Sequence, residues 1–248
     1  MIKLRYIALL ALTVFLFSFI ILEPAFAMPG GKIASAIFDT FWGKVLLVIL
    51  TIILLPLIVY MVSKELAAQK RTLKDLSYMA AVVDPSFEWL VIRERILDCF
   101  TRVHSAWEHE RAAEASEWMT SWYWQNQQLV YLDKWASRGL VNHCNVKKIT
   151  NIKPLLFVHR NSGAPHEDSR LIVSITANMQ DYLAERATDR VVEGSKVFKD
   201  VETIWTFSMA EGKWRVSNIE DGSMSLAYAR LTSQLPKIED TVVARKIS

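Results

Sequence analysis

Only two cysteines, Cys99 and Cys144, occur in the chain. That excludes a framework of disulfides, and neither belongs to a CxxC pair of the kind that holds zinc. Glycine is scarce as well. Eight glycines, with no P-loop and no glycine-rich dinucleotide turn, leave little backbone for cradling phosphate. No Ser-His-Asp arrangement is recognisable. The net charge of +3 is too small by itself to argue for nucleic acid. What the chain does have is apolar residues, 52% of the total, and two long N-terminal runs account for the excess.

The first run, Tyr6 to Leu22, follows Lys3 and Arg5 and precedes the A-x-A site Ala25-Phe26-Ala27. Residues 1–27 therefore read as a signal peptide or as an uncleaved first span. Residues 28–44 form a short extracytoplasmic segment. The second run, residues 45–62, is uncharged over 18 residues and suits a transmembrane helix. Lys64, Lys70, Arg71 and Lys74 follow it. Positive charge stays on the cytoplasmic side, so the main domain is expected in the cytoplasm under either reading of the first run.

Residues 63–84 continue as an amphipathic linker helix with Leu66, Leu73, Leu76, Ala80 and Val83 on one face. Its basic residues could lie against anionic phospholipid headgroups, or the helix could pack on its own domain. Asp84-Pro85 ends it. Ser86 is the expected N-cap of a helix reaching about Arg111, with Ile92, Ile96, Phe100, Val103 and Trp107 on one stripe. Cys99 lies within that apolar pattern and reads as a buried thiol. A short helix around 112–119 and a third from about Ser121 to Arg138 follow, stopped by Gly139.

Beyond Gly139 the period changes from helical to two. Residues 146–158 supply a first strand, bulged at Pro154. Residues 171–180 alternate as a strand with one buried face. Val201, Thr203, Trp205, Phe207 and Met209 form another, joined through a Glu211-Gly212 hairpin to Trp214 and Val216. Helices first and an antiparallel sheet second give an α+β domain over residues 85–236, with a tail at 237–248. The rings of Trp205, Phe207 and Trp214 face its core; a base-stacking surface would want exposed rings beside a basic groove. No DNA partner is expected.

Three stretches, "DPSF" opening a helix, "SEWMTSWYWQNQQ" and "VETIWTFSMAEGKWRVSNIE", together make residues 84–221 resemble the family of mitochondrial inner membrane translocase subunit 44. The resemblance implies a nuclear-transport-factor-like cone, three helices on a curved antiparallel sheet around an apolar pocket. It also implies a non-enzymatic role: docking at the bacterial inner membrane and gripping a protein partner in transport, insertion or assembly, within a membrane complex. The long charged segment that precedes the domain in the mitochondrial protein is missing here, which sets chaperone recruitment aside.

For partner or pocket contact the candidates are Trp118, Trp122, Tyr123 and Trp124, four rings in seven residues that cannot all face inward. For lipid contact they are Lys64, Lys70, Arg71 and Lys74. Lys147, Lys148 and Lys153 add a basic edge, explained equally by headgroup or rRNA contact and by a lysine-guarded strand; rRNA is the weaker partner. His104 and Glu108, four apart with Glu110 near, fall short of the three convergent ligands a metal needs, and the His143-Cys144 pair supplies only two. An isomerase-like site would have to draw on Tyr123, Tyr131 and Asp133, and Asp133-Lys134 fits a solvated helix end. No catalytic residue, cofactor or metal is assigned. The alternative to partner docking is a pocket in the same fold for a hydrophobic small molecule or lipid, as a sensor or a weak isomerase-like enzyme. A deep cavity with an inward Asp, Glu or His would favour that alternative.

Overall fold

The computed structural model describes residues 40–160 and 165–242. The signal peptide or first span, most of the segment 28–44 and the end of the tail lie outside the described residues. Two compact units divide between Tyr60 and Met61. Helix α1 (Phe41–Val82) contains an 18-residue window of mean hydropathy 3.1, none of it buried. By length and composition it is the one helix among the described residues that could cross a membrane. Pro56 lies inside it.

In the second unit α1 packs through much of the face its leucine spacing suggests, with Leu76 in the core and Ala80 and the adjoining Val83 against it, but not through its first leucine. Ala68, Thr72, Leu76 and Met79 are buried, whereas Leu66 is exposed. The helix turns by about 100° per residue, so a stripe drawn through Leu66 drifts off the side that packs. Polar contacts fix this part of α1. Glu65 meets Lys153 at 3.3 Å and accepts from the Ser225 hydroxyl at 2.8 Å.

Asp84 caps a 3-10 turn (Pro85–Phe87), accepting from the Ser86 amide at 2.7 Å. Ser86 is therefore inside the turn instead of capping helix α2 (Trp89–Glu108), whose N-cap Glu88 makes no side-chain cap bond. Along α2, Ile92, Ile96, Cys99, Phe100, Val103 and Ala106 are buried. The expected third helix is interrupted. Helix α3 (Ser121–Gln127) passes through a π turn (Gln128–Leu132) into α4 (Asp133–Ser137). Gly139, with φ +67, stops it, since a Cβ disfavours that conformation.

Five antiparallel strands follow: β1 (Leu140–His143), β2 (Val146–Val158), β3 (Arg170–Glu185), β4 (Val191–Ala210) and β5 (Lys213–Asp221). β1 and β2 share one edge of β3, β1 on residues 182–185 and β2 on 170–179; β4 and β5 complete the order on the other side. Register shifts interrupt every long pairing, including one at Pro154/Leu156. Such bulges bend strands, and the sheet is curled. Glu211 (φ 53) and Gly212 (φ 72) make the β4–β5 hairpin turn, both residues in the left-handed region that such a turn demands.

Helices α2 and α3 and the packed part of α1 cover the face carrying Leu171, Val173, Ile175, Trp205, Phe207 and Trp214. This is the expected α+β cone architecture of helices on a curved antiparallel sheet. The other face is not left to solvent as the alternation suggests. Helix α5 (Ser225–Thr232) and Leu235 cover a second cluster of Leu155, Leu156, Ile172 and Ile204. Consecutive residues Leu171 to Ile175 are consequently all buried. The segment after Leu235 packs on the main core instead: Ile238, in helix α6 (Ile238–Thr241), is buried there.

Candidate functional site

The four aromatic candidates separate. Trp118 is half-buried, its Nε1 donating to Asp98 at 2.5 Å, and the Arg102 guanidinium lies 5.0 Å over its ring. Trp124 is half-buried against the main core. Tyr123 is buried within it. Trp122 points out, 70% exposed. Leu129 (68%) and Val130 (46%), in the π turn, are exposed as well. The extra residue per turn in that stretch rotates apolar side chains out of the helix's buried stripe.

Two of the four basic lipid candidates engage their own domain. Arg71 donates to the carbonyls of Leu235 (2.9 Å) and Pro236 (2.6 Å) and pairs with Asp75 at 3.6 Å. Lys74 lies 3.8 Å from Glu239. Lys70 is exposed and Lys64 half-buried. Among the strand lysines, Lys153 bridges Glu65 and Glu202, and Lys147 sits 5.9 Å over the Phe198 ring.

Between α2, α3 and the sheet lies a cavity of about 300 Å³. Val103, Met179, Val201, Trp205 and Ile219 give it apolar walls. Its polar lining includes Tyr123 and Gln127 from α3, spaced i, i+4 on one face, and Asn142 from β1. His104 lines it from α2, its ring 4.1 Å from that of Phe100 and 5.6 Å from that of Trp205. Nδ1 donates to the Phe100 carbonyl at 2.8 Å, which leaves Nε2 as an acceptor. Burial pushes the His104 pKa down to about 4, with the Phe100 bond opposing weakly, so the ring is neutral near pH 7.

Other groups in the lining are held uncharged too. Burial raises the Tyr123 phenol and the Cys144 thiol. Cys144 Sγ donates to the His104 carbonyl at 3.4 Å, and its amide donates to Glu108 at 3.0 Å. Asp181 stands exposed at the rim, where desolvation raises its carboxyl and Lys199 opposes the rise. No Lys or Arg lines the cavity among the described residues. Asp133, set aside from the sequence, accepts from Gln128 at 2.6 Å on the surface. Glu108 accepts from Cys144 and faces His143 at 3.5 Å, and no cluster of three or more His, Cys, Asp or Glu side chains placed for a metal occurs among the described residues.

Sequence reasoning placed Tyr123 at the pocket but missed Gln127, Asn142 and Asp181, and weighed His104 only as a ligand. The signal was available for one of them: Gln127 follows Tyr123 by one helical turn.

No family model matches the chain, and no curated protein matches it. Solved structures with some likeness include the intermembrane space region of the chloroplast protein ARC6, at 9% identity and TM-score 0.36, covering 50% of this chain and 91% of that one. Another is an NTF2-like protein from Cytophaga hutchinsonii, at 12% identity and TM-score 0.28, covering 52% and 97%. Neither likeness carries an argument about function, and the architecture rests on the strand pairing and packing themselves.

Proposed function

We propose that this chain is a membrane-anchored, cytoplasm-facing, non-enzymatic interaction domain that docks a protein partner at the inner membrane during protein transport, insertion or assembly. The observation that carries it is the exposed apolar face of Trp122, Leu129 and Val130. Large apolar side chains exposed close together along one helical segment mark a contact site, and tryptophan is among the side chains most enriched where partners grip each other. The resemblance of residues 84–221 to the translocase-44 family points the same way, as does the basic cluster following the apolar part of α1. Since Arg71 and Lys74 already bond to the domain's own C-terminal segment, lipid contact by this stretch rests on exposed Lys70.

A photo-crosslinking residue at position 122, in the full chain in native membranes, is expected to capture a protein that the same residue at exposed Lys213 does not. Capture of lipid alone, or the same products from both positions, would remove the docking face. Orientation is checked separately. A reporter active only in the periplasm, fused after Ser248, should stay silent, and strong activity would reverse the placement.

A further inference from the structure

Gln127 and Asn142 are each 6% exposed, and both line the cavity. No hydrogen bond joins either side chain to another described residue, and neither amide is among the fully enclosed polar atoms that lack a partner, so both open onto the cavity. Trp107 Nε1, in the same lining, is buried with no partner among the described residues, and amides that meet only a cavity are satisfied there by ordered water or a ligand. Two of them at one cavity, each carrying a carbonyl acceptor and an NH₂ donor, are more than an apolar pocket requires. From these two amides we infer a binding site for an uncharged, ring-sized molecule that carries a hydrogen-bond donor and acceptor side by side, such as a carboxamide or lactam.

The walls select for this class. Trp205, Val201 and Ile219 offer flat and aliphatic surface to the apolar part of the molecule. A phosphate or carboxylate would enter a lining without any Lys or Arg among the described residues and would have to shed its water with no cation to replace it. The one carboxyl in the lining among the described residues, Asp181, is exposed at the rim, where desolvation favours its neutral form and the Lys199 cation opposes that shift. His104, neutral near pH 7, contributes an acceptor and no charge. A ligand in this cavity is compatible with a partner at Trp122 and independent of it.

Four probes of matched ring size separate the chemistries: benzamide, benzoate, benzyltrimethylammonium and toluene. Saturation-transfer NMR on the full chain in nanodiscs should show benzamide binding with a Kd on the order of millimolar, as expected for so few atoms, and more tightly than the other three. Gln127→Leu and Asn142→Leu should each weaken benzamide about tenfold, the worth of one net hydrogen bond, and leave toluene unchanged. Both variants should melt at or above the wild-type temperature, since an apolar group replaces an unpaired polar one. Equal affinity for toluene and benzamide would overturn the site, as would preference for either ion. Absence of all four would show a cavity that holds water only, which also overturns it. Lower melting temperatures in the leucine variants would mean the amides are held by protein contacts, with the same consequence.

Discussion

Trp205→Ala is expected to destabilise the second unit by about 3–5 kcal/mol, a large part of the stability of an ordinary domain. Trp205 is 1% exposed and lies at the centre of the sheet's helix-covered face. Its ring is 5.0 Å from that of Phe100, 5.6 Å from that of His104 and 6.2 Å from that of Phe207. Its Nε1 donates to the Thr203 hydroxyl at 2.9 Å. Alanine removes the ring from an environment fixed by a helix on one side and paired strands on the other, so collapse around the gap is restricted. Trp205 also forms a wall of the cavity, and the substitution should therefore enlarge it. Trp122→Ala should change stability by under about 0.5 kcal/mol, as surface substitutions do. Chemical denaturation of both variants provides the check. Similar losses in the two would mean that Trp122 is packed and the proposed docking face is absent.

The contrast between these tryptophans shows what was legible in the sequence. Alternation from Val201 to Met209, followed by Glu211-Gly212 and Trp214, identifies a hairpin, because the side-chain period of a strand is fixed and the turn's two left-handed residues suit that pair. Position on a short helix is less readable. Trp118, Trp122, Tyr123 and Trp124 could not be sorted from spacing, since Trp118 precedes the helix and α3 has only 7 residues, too few for an apolar stripe to fix its phase. At the start of the packed part of α1 the stripe through Leu66 was misjudged for a different reason. Small and polar residues, Ala68 and Thr72, are buried there, and a search for large apolar side chains passes over them. The second face of the sheet was hidden because α5 lies beyond the strands in sequence and covers them from the far side. Asn142 carries no pattern that announces burial; only the fold encloses it.

Acid should weaken the fold through His104. Its pKa is about 4 in the folded chain against an ordinary value of 6.5, and the cause is burial of the ring against Phe100 and Trp205. Above pH 6.5 neither state binds the proton, and the contribution to stability is fully present. Between pH 6.5 and about 4 the unfolded chain takes the proton while the folded chain does not. Stability therefore falls with pH over that window, by up to about 1.4 kcal/mol per unit and about 3 kcal/mol in all. Below about pH 4 both states are protonated and this loss levels off. Other groups titrate nearby: the raised carboxyls of Asp75 and Asp181 act in the opposite sense, favouring the fold as they protonate. The contribution of His104 is thus the difference between the wild-type profile and that of His104→Gln, which keeps a polar side chain and has nothing to titrate. Urea denaturation at intervals from pH 7.5 to 4 should give the variant the flatter curve. Parallel curves would mean that folding leaves the proton affinity of the imidazole unchanged, and its shielding from water against Phe100 and Trp205 would then have to be given up.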